Sequence, residues 1–401
     1  KTCFFPIVFM GFKLFIDSFT KTPDENVFEI VELKGRGHPD TLSDTVATKV
    51  CIDYSKWWMN ELDVDVKQVP HHNFDKVLLS GGEARVKWGG GEVVKPFNVI
   101  IAGNVTMKYK GIEIPLFKVV DKAVTRILRK NVGRKALWNV DISALSKSSE
   151  TLSNTYSQGL LSNDTSFGTG HYPLTKLELT VKRINKRLER IMREKKFLGT
   201  DVKIMGRRVK SEYYFTIAAA IKDEFVENPE EYKDKVDYLK NEITRVIPEN
   251  SVVRVNQNDT PQKGRDVKNY YLLVTGSSVE GADPGQVGRG NRVSGMITPF
   301  RPQTMEAIAG KNLTRHVGGF YNIWAQRIAE RIWELTGAKS QVVIVSEIGK
   351  PVDECYIGFS SKQRVDESLI KSVCSDIMMD YYAYVEKLMV RGGKYLSLIH
   401  I

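Results

Sequence analysis

Much common chemistry is missing from this 401-residue chain. Its four cysteines, Cys3, Cys51, Cys355 and Cys374, stand far apart and form no CxxC pair. That excludes a disulfide framework and points to a reducing compartment with buried or incidental thiols. The six histidines include no HExxH pair. There is no GxSxG elbow and no evident activated serine or cysteine, so chemistry that depends on such a nucleophile is excluded. "GRGNR" is not a GxGxxG dinucleotide turn, and "AGKN" is not a P-loop. No long Lys/Arg run and no Cys/His finger spacing accompany the formal net charge of +11, so nucleic acid is not the favoured partner.

What is present is an ordinary globular composition, 42% hydrophobic and 27% charged, with length for two or three domains. The apolar "CFFPIVFMGF" (Cys3–Phe12) is too short to span a bilayer and lacks a cleavage pattern. Translation is expected to start at Met10, and the closing "YLSLIHI" reads unlike a natural polar tail. The basic surplus suits a polyphosphate substrate or only a basic surface.

Helical periodicity marks Leu42–Tyr54, Val119–Leu128, Leu177–Arg193, Glu230–Val246, Tyr321–Leu335 and Leu369–Met389. Strand-like runs lie between them: "KVLLSGG", "FNVIIAGNVTMKY", "VKIMGRRV", "YYFTIAAAI", "NYYLLVTGSS" and "SQVVIVSEIG". Strand pairs joined directly argue for an α+β fold, with helices on one face of mostly antiparallel sheets. The helix-plus-hairpin pattern recurs about three times. The expected divisions are 20–135, 136–250 and 251–395, with strands free to exchange between them.

Four stretches can carry chemistry. "GRGHPD" opens a helix, with Asp40 or Thr41 as its cap and Pro39 in its first turn. Its glycines allow close backbone approach, a helix N-terminus favours anions, His38 can donate to phosphate and Asp40 can bind Mg²⁺. A glycine-rich turn with a surface histidine is the plain reading. "HHNFDKVLLSGGEARVKWGGGEVVKPF" places Glu83 after a diglycine, and Gly89–Gly91 is either a lid or a hairpin turn. Adjacent His71 and His72 on a strand face opposite ways and do not readily share a metal. "SNDTSFGTGHYP" offers Asn163, Asp164, Thr165 and Ser166 to a ribose, base or amino acid, or simply caps the next helix. The densest stretch, Gly281–Gly319, sets Arg289, Arg292, Arg301, Lys311, Arg315 and His316 among glycines, with Asp283 nearby. Exposed backbone N–H groups interleaved with fixed cations are what a polyphosphate needs.

Taken in order with "SEIGKPVDE", these stretches resemble the archaeal-type S-adenosylmethionine synthetases, also called methionine adenosyltransferases, from about Glu29 to Asp353. The resemblance implies synthesis of S-adenosylmethionine from ATP and L-methionine. The sulfur attacks ribose C5′, triphosphate leaves, and it is then cleaved to pyrophosphate and phosphate. It further implies Mg²⁺ and K⁺, a cytoplasmic location, three α+β repeats in a pseudo-threefold arrangement, and a homodimer with active sites between subunits. A thioether has no proton to lose, so the missing general base fits this chemistry.

By matching position, the resemblance makes His38, Lys311 and Arg289 catalytic, with His38 on the triphosphate near the breaking bond. It gives ATP also to Asp164, Gly288, Arg292, Gly310 and Lys350. Methionine falls to Glu83, Asp164 and Asp283, Mg²⁺ to Asp40 and the K⁺ region to Glu83. The chain departs from the family pattern at "LSKSSETL" (145–152), where a glycine-rich loop followed by an acid is expected, and at Asn104, Leu313 and Arg315. Those changes motivate one alternative, a weak or silent nucleotide-binding homologue that regulates a partner subunit.

Overall fold

A computed structural model describes residues 11–145, 161–305 and 308–391. Among these, six long helices alternate with three sheets of four or five strands. The helices are α1 (Pro39–Leu62), α2 (Leu116–Asn131), α3 (Lys176–Lys195), α4 (Pro229–Thr244), α5 (Val317–Thr336) and α6 (Glu367–Arg391). Each coincides with a periodic apolar stretch of the sequence, because burying such a stripe is what stabilises a helix of this length.

Each sheet is built the same way: two antiparallel pairings and then one parallel strand. The first runs Phe28–Lys34, Leu198–Val209, Glu212–Lys222, Ser251–Val255. The second runs Gly285–Gln286, His72–Ser80, Phe97–Val105, Trp138–Leu145. The third runs Phe167–Tyr172, Ser340–Val345, Tyr356–Ser361, Lys13–Ser18. A helix pair covers one face of each: α3 and α4 on the first, α1 and α2 on the second, α5 and α6 on the third. This is the α+β layering that directly joined strands imply.

The three layers are stitched by long-range strand exchange. Phe28–Lys34 leaves its own helix to join the sheet of residues 198–255, and Gly285–Gln286 returns to the sheet of residues 72–145. "NYYLLVTGSS" is mostly not a strand. Only Leu272–Leu273 pairs, because the chain bends at 274–277, where the Glu280 carboxylate accepts the Val274 and Thr275 N–H groups. "FGTG", absent from the expected strands, is a strand on which α5 lies directly. A Cβ at Gly168 would stand 2.1 Å from the Tyr321 carbonyl carbon, and one at Gly170 would stand 2.2 Å from that of Ala325.

Candidate active site

The site begins where the strand Phe28–Lys34 turns into α1. Gly37 is required there, since a Cβ would fall 2.0 Å from Thr200 Oγ1. His38, not Asp40 or Thr41, is the cap of α1: its Nδ1 accepts the Asp40 main-chain N–H at 3.2 Å. Its backbone stays extended and its ring nitrogen reaches the N2 position, which the aspartate, already inside the helix, cannot do. An accepting Nδ1 places the proton of a neutral ring on Nε2. Burial keeps the ring neutral and lowers its pKa to about 4, with Lys34 and Lys203 adding to the effect against Asp40.

The glycine-rich loop of residues 285–297 is laced along this entrance. Asp40 Oδ1 accepts Gln286 N–H at 3.0 Å, and one turn later Asp44 Oδ1 accepts Gly288 N–H at 2.8 Å. Asn291 mimics a strand neighbour, accepting Lys34 N–H at 3.0 Å and donating to Lys34 O at 2.9 Å. Lys34 Nζ completes the seam, 2.7 Å from Asp40 Oδ2 and 2.6 Å from Arg289 O. Burial opposes the Asp40 charge, but Lys34 and the Gln286 N–H outweigh it and hold this carboxyl below its usual range. Asp44, sealed from water, is pushed up to about 7 by burial.

A cavity of about 630 Å³ opens on this seam and is lined by His38, Asp40, Asp283 and Arg289 together with Lys34, Lys203 and Asp201. A second, of about 440 Å³, is lined by Asp75, Lys76, Gly288 and Lys311. Leu78 and Gln286 belong to both walls, so the two cavities adjoin, and together they are called the trough. A larger hollow of about 690 Å³ meets the first at Ala218 and Tyr271. Gly310, at φ +72°, brings Lys311 in: a Cβ there would stand 2.4 Å from Phe74 O. Lys311 Nζ lies 3.9 Å from Asp75 Oδ2. His316 caps the same end of α5, with Nε2 3.5 Å from Asp164 Oδ2. Burial, with Lys311 beside it, lowers His316 to about 3. Lys350 O accepts Ser162 N–H at 2.7 Å, which sets its loop beside the Asp164 turn.

Other expected residues stand apart from the trough. Glu83 is exposed on a short hairpin opposite Lys95 and lines neither cavity. The Gly89–Gly91 segment is that hairpin's turn, fastened by Gly89 N–H to Val226 O at 2.8 Å and Gly91 N–H to Asp223 Oδ2 at 2.7 Å. Arg292 turns inward to donate to Gly288 O at 2.7 Å. Arg301 is a brace, gripping both oxygens of Glu178 at 3.0 and 2.9 Å. The altered loop of residues 146–152 lies outside the described residues.

Among the described residues, no three His, Cys, Asp or Glu side chains form a set able to hold a metal ion. The hard oxygens of Asp40, Asp201 and Asp283 do face the 630 Å³ cavity. Such donors fit an ion that completes its shell with phosphate and water, as Mg²⁺ does.

The family described as S-adenosylmethionine synthetase (AdoMet synthetase) matches residues 13–391. The chain belongs to that family. It is 38% identical over 360 residues to the S-adenosylmethionine synthase of Pyrococcus furiosus, covering 86% of this chain and 88% of the relative. The corresponding figures for the Archaeoglobus fulgidus synthase are 36% over 400 residues, 95% and 98%. A solved "unusual S-adenosylmethionine synthetase" from Campylobacter jejuni shares the fold, with a TM-score of 0.58, 14% identity and 93% of each chain covered.

The 630 Å³ cavity also holds residues that the sequence does not single out. Lys34, Lys203 and Asp201 sit on strands, where a lone charge in an apolar run reads as a solvated edge. Asp201 is in fact buried, accepting the Ser278 N–H at 2.8 Å, and burial pushes it up to about 7. The Arg315 departure lies in packing: its guanidinium donates to Lys67 O at 2.8 Å. No helix among the described residues is long and apolar enough to cross a membrane.

Proposed function

We propose that this chain makes S-adenosylmethionine from ATP and L-methionine, with the trough between α1, the 285–297 loop and Lys311 as its reaction site. The observation that carries the reading is that His38 and Arg289 line one cavity and Lys311 lines the next, the two adjoining at Leu78 and Gln286. The methionine sulfur attacks ribose C5′ and the C5′–O bond breaks, so the electron pair leaves on the triphosphate. No proton moves at the sulfur, and no base is required. The barrier falls through alignment and through charge on the leaving group.

Neutral His38 donates its Nε2–H to the departing oxygen. Arg289 at one end and Lys311 at the other offset phosphate charge. Asp164, beside His316, and Asp283, beside Ser278 and Asp201, orient the substrates. Lys350 serves the nucleotide, and Gly288, whose N–H and carbonyl are held by Asp44 and Arg292, shapes the wall beside it together with Gly310. Mg²⁺ would rest on Asp40, where it would supply phosphate charge neutralisation. K⁺ is the second ion of this reading; Glu83, exposed on its hairpin, would hold it only outside the trough. Arg292 acts through the loop, by holding Gly288. The same cations then serve cleavage of triphosphate to pyrophosphate and phosphate.

The open faces of the sheets carry exposed Phe28, Val252, Phe167, Val343, Val345 and Tyr356, which supports pairing with a second copy. A cytoplasmic enzyme accords with buried free thiols at Cys51, Cys355 and Cys374. Incubation with ATP, methionine, Mg²⁺ and K⁺, read by mass spectrometry, should give S-adenosylmethionine, pyrophosphate and phosphate in equal amounts. Folded protein that binds ATP and yields none contradicts the reading.

A further inference from the structure

We propose that Lys34 is a displaceable counter-cation: its ammonium sits on the Asp40 oxygen that a divalent ion takes, so metal enters the site only in company with a polyphosphate. The inference rests on the proposed function, because it takes Asp40 as the metal-bearing carboxylate.

The two oxygens of Asp40 have different duties. Oδ1 accepts the Gln286 N–H at 3.0 Å and so helps hold the glycine-rich loop on α1. Giving it up would leave a main-chain donor of that loop without its partner. Oδ2 faces Lys34 Nζ at 2.7 Å, and the same ammonium donates to Arg289 O at 2.6 Å. The exchangeable oxygen is therefore Oδ2, and in the free protein it already has a cation. A metal ion on Oδ2 would bring two like charges against one oxygen, where they repel.

The ammonium cannot simply withdraw. The Lys34 side chain is only 9% exposed, and a buried charge that loses its partner is heavily penalised. Its other neighbouring carboxylate, Glu32 at 3.7 Å, is shared with Lys203 at 3.3 Å. An arriving polyphosphate changes this balance. Its oxygens offer Lys34 a new anionic partner inside the same cavity, whose walls include Lys34, His38, Lys203 and Arg289. The carboxylate is then released to the ion that travels with the phosphates. Free metal brings no such anion and is refused.

The test uses Mn²⁺ alone as probe, on the full chain without nucleotide, with free ion counted by electron paramagnetic resonance. Lys34→Met should bind Mn²⁺ about tenfold or more tightly than the unaltered protein. The double variant Lys34→Met with Asp40→Asn should lose that gain, and Lys34→Arg should behave as the unaltered protein does. Lys203→Met removes an equal charge from the same cavity but not from Asp40, and should give no comparable gain. Lys34→Gln provides the same readout if the methionine variant fails to fold. Equal Mn²⁺ affinity with and without Lys34 overturns the proposal. So does a gain that survives Asp40→Asn, or one matched by Lys203→Met. Since no turnover is read, this outcome is independent of whether the chain makes S-adenosylmethionine.

Discussion

Asp44, in the second turn of α1, holds Gly288 by its main-chain N–H at 2.8 Å, across more than two hundred residues of chain. The contact fastens the glycine-rich loop to the helix that also presents His38 and Asp40. Gly290 gives this carboxylate room, as a Cβ there would stand 2.0 Å from Asp44 Oδ2. Asp44→Asn keeps a side-chain acceptor and should preserve most stability and turnover. Asp44→Ala should cost about 1–3 kcal/mol and loosen the loop. Urea denaturation together with the KM for ATP checks both variants, and equal behaviour of the two would contradict the contact's role.

His38 has two duties that one substitution separates. Asparagine is a good helix cap but lacks the Nε2–H of a cavity-lining histidine. His38→Asn should leave the melting temperature within about 2 °C, yet lower kcat by about a hundredfold or more. His38→Ala should lose both stability and turnover. Calorimetry beside steady-state kinetics distinguishes the two effects.

Buried His72 makes stability depend on pH in a defined direction. Its Nδ1–H donates to Pro70 O at 2.9 Å, and burial lowers its pKa to about 3. The unfolded chain takes up this proton near pH 6.5, well before the folded chain does. The contribution is therefore intact above that pH and is lost as pH falls toward the folded value. The stability cost of His72→Gln should shrink by about 2–3 kcal/mol between pH 7 and pH 4.5 in urea titrations. A cost independent of pH would contradict the assignment.

Arg315, expected from the resemblance to be a departure in the site, has a guanidinium that reaches Lys67 O at 2.8 Å. Arg315→Asn should cost about 1–2 kcal/mol of stability and leave the KM for ATP nearly unchanged. A large rise in that KM would place the residue in the reaction site instead.

How far the sequence could be read follows from how local each signal is. The six helices were legible because an apolar stripe is written within a few turns, as in α3 from Leu177 to Ile191. The strand Phe167–Tyr172 was not, because its glycines are demanded by α5, more than a hundred residues later. Gly-His-Pro-Asp alone read first as a glycine-rich turn, and His38 and Asp40 became site candidates only beside the other stretches; the cap was misassigned because Asn, Asp, Ser and Thr dominate that position. Asp201 was missed since its partner Ser278 lies 77 residues on, and Lys34 since the loop that closes over it, with Arg289, is far along the chain even though Asp40 is near. Glu83 was placed near the site by position in the chain, and its hairpin carries it outside the trough.

The most direct test of the central claim follows the oxygen that bridges C5′ and the α-phosphorus of ATP. With that atom as ¹⁸O, attack at C5′ against a leaving triphosphate sends the label wholly into the inorganic products, and S-adenosylmethionine carries none. Phosphorus NMR and mass spectrometry of one reaction decide it. Label in the phosphate products, appearing with S-adenosylmethionine and suppressed in Lys311→Met, is the predicted result. Label left on the nucleoside, or nucleotide cleavage with no S-adenosylmethionine formed, contradicts the account.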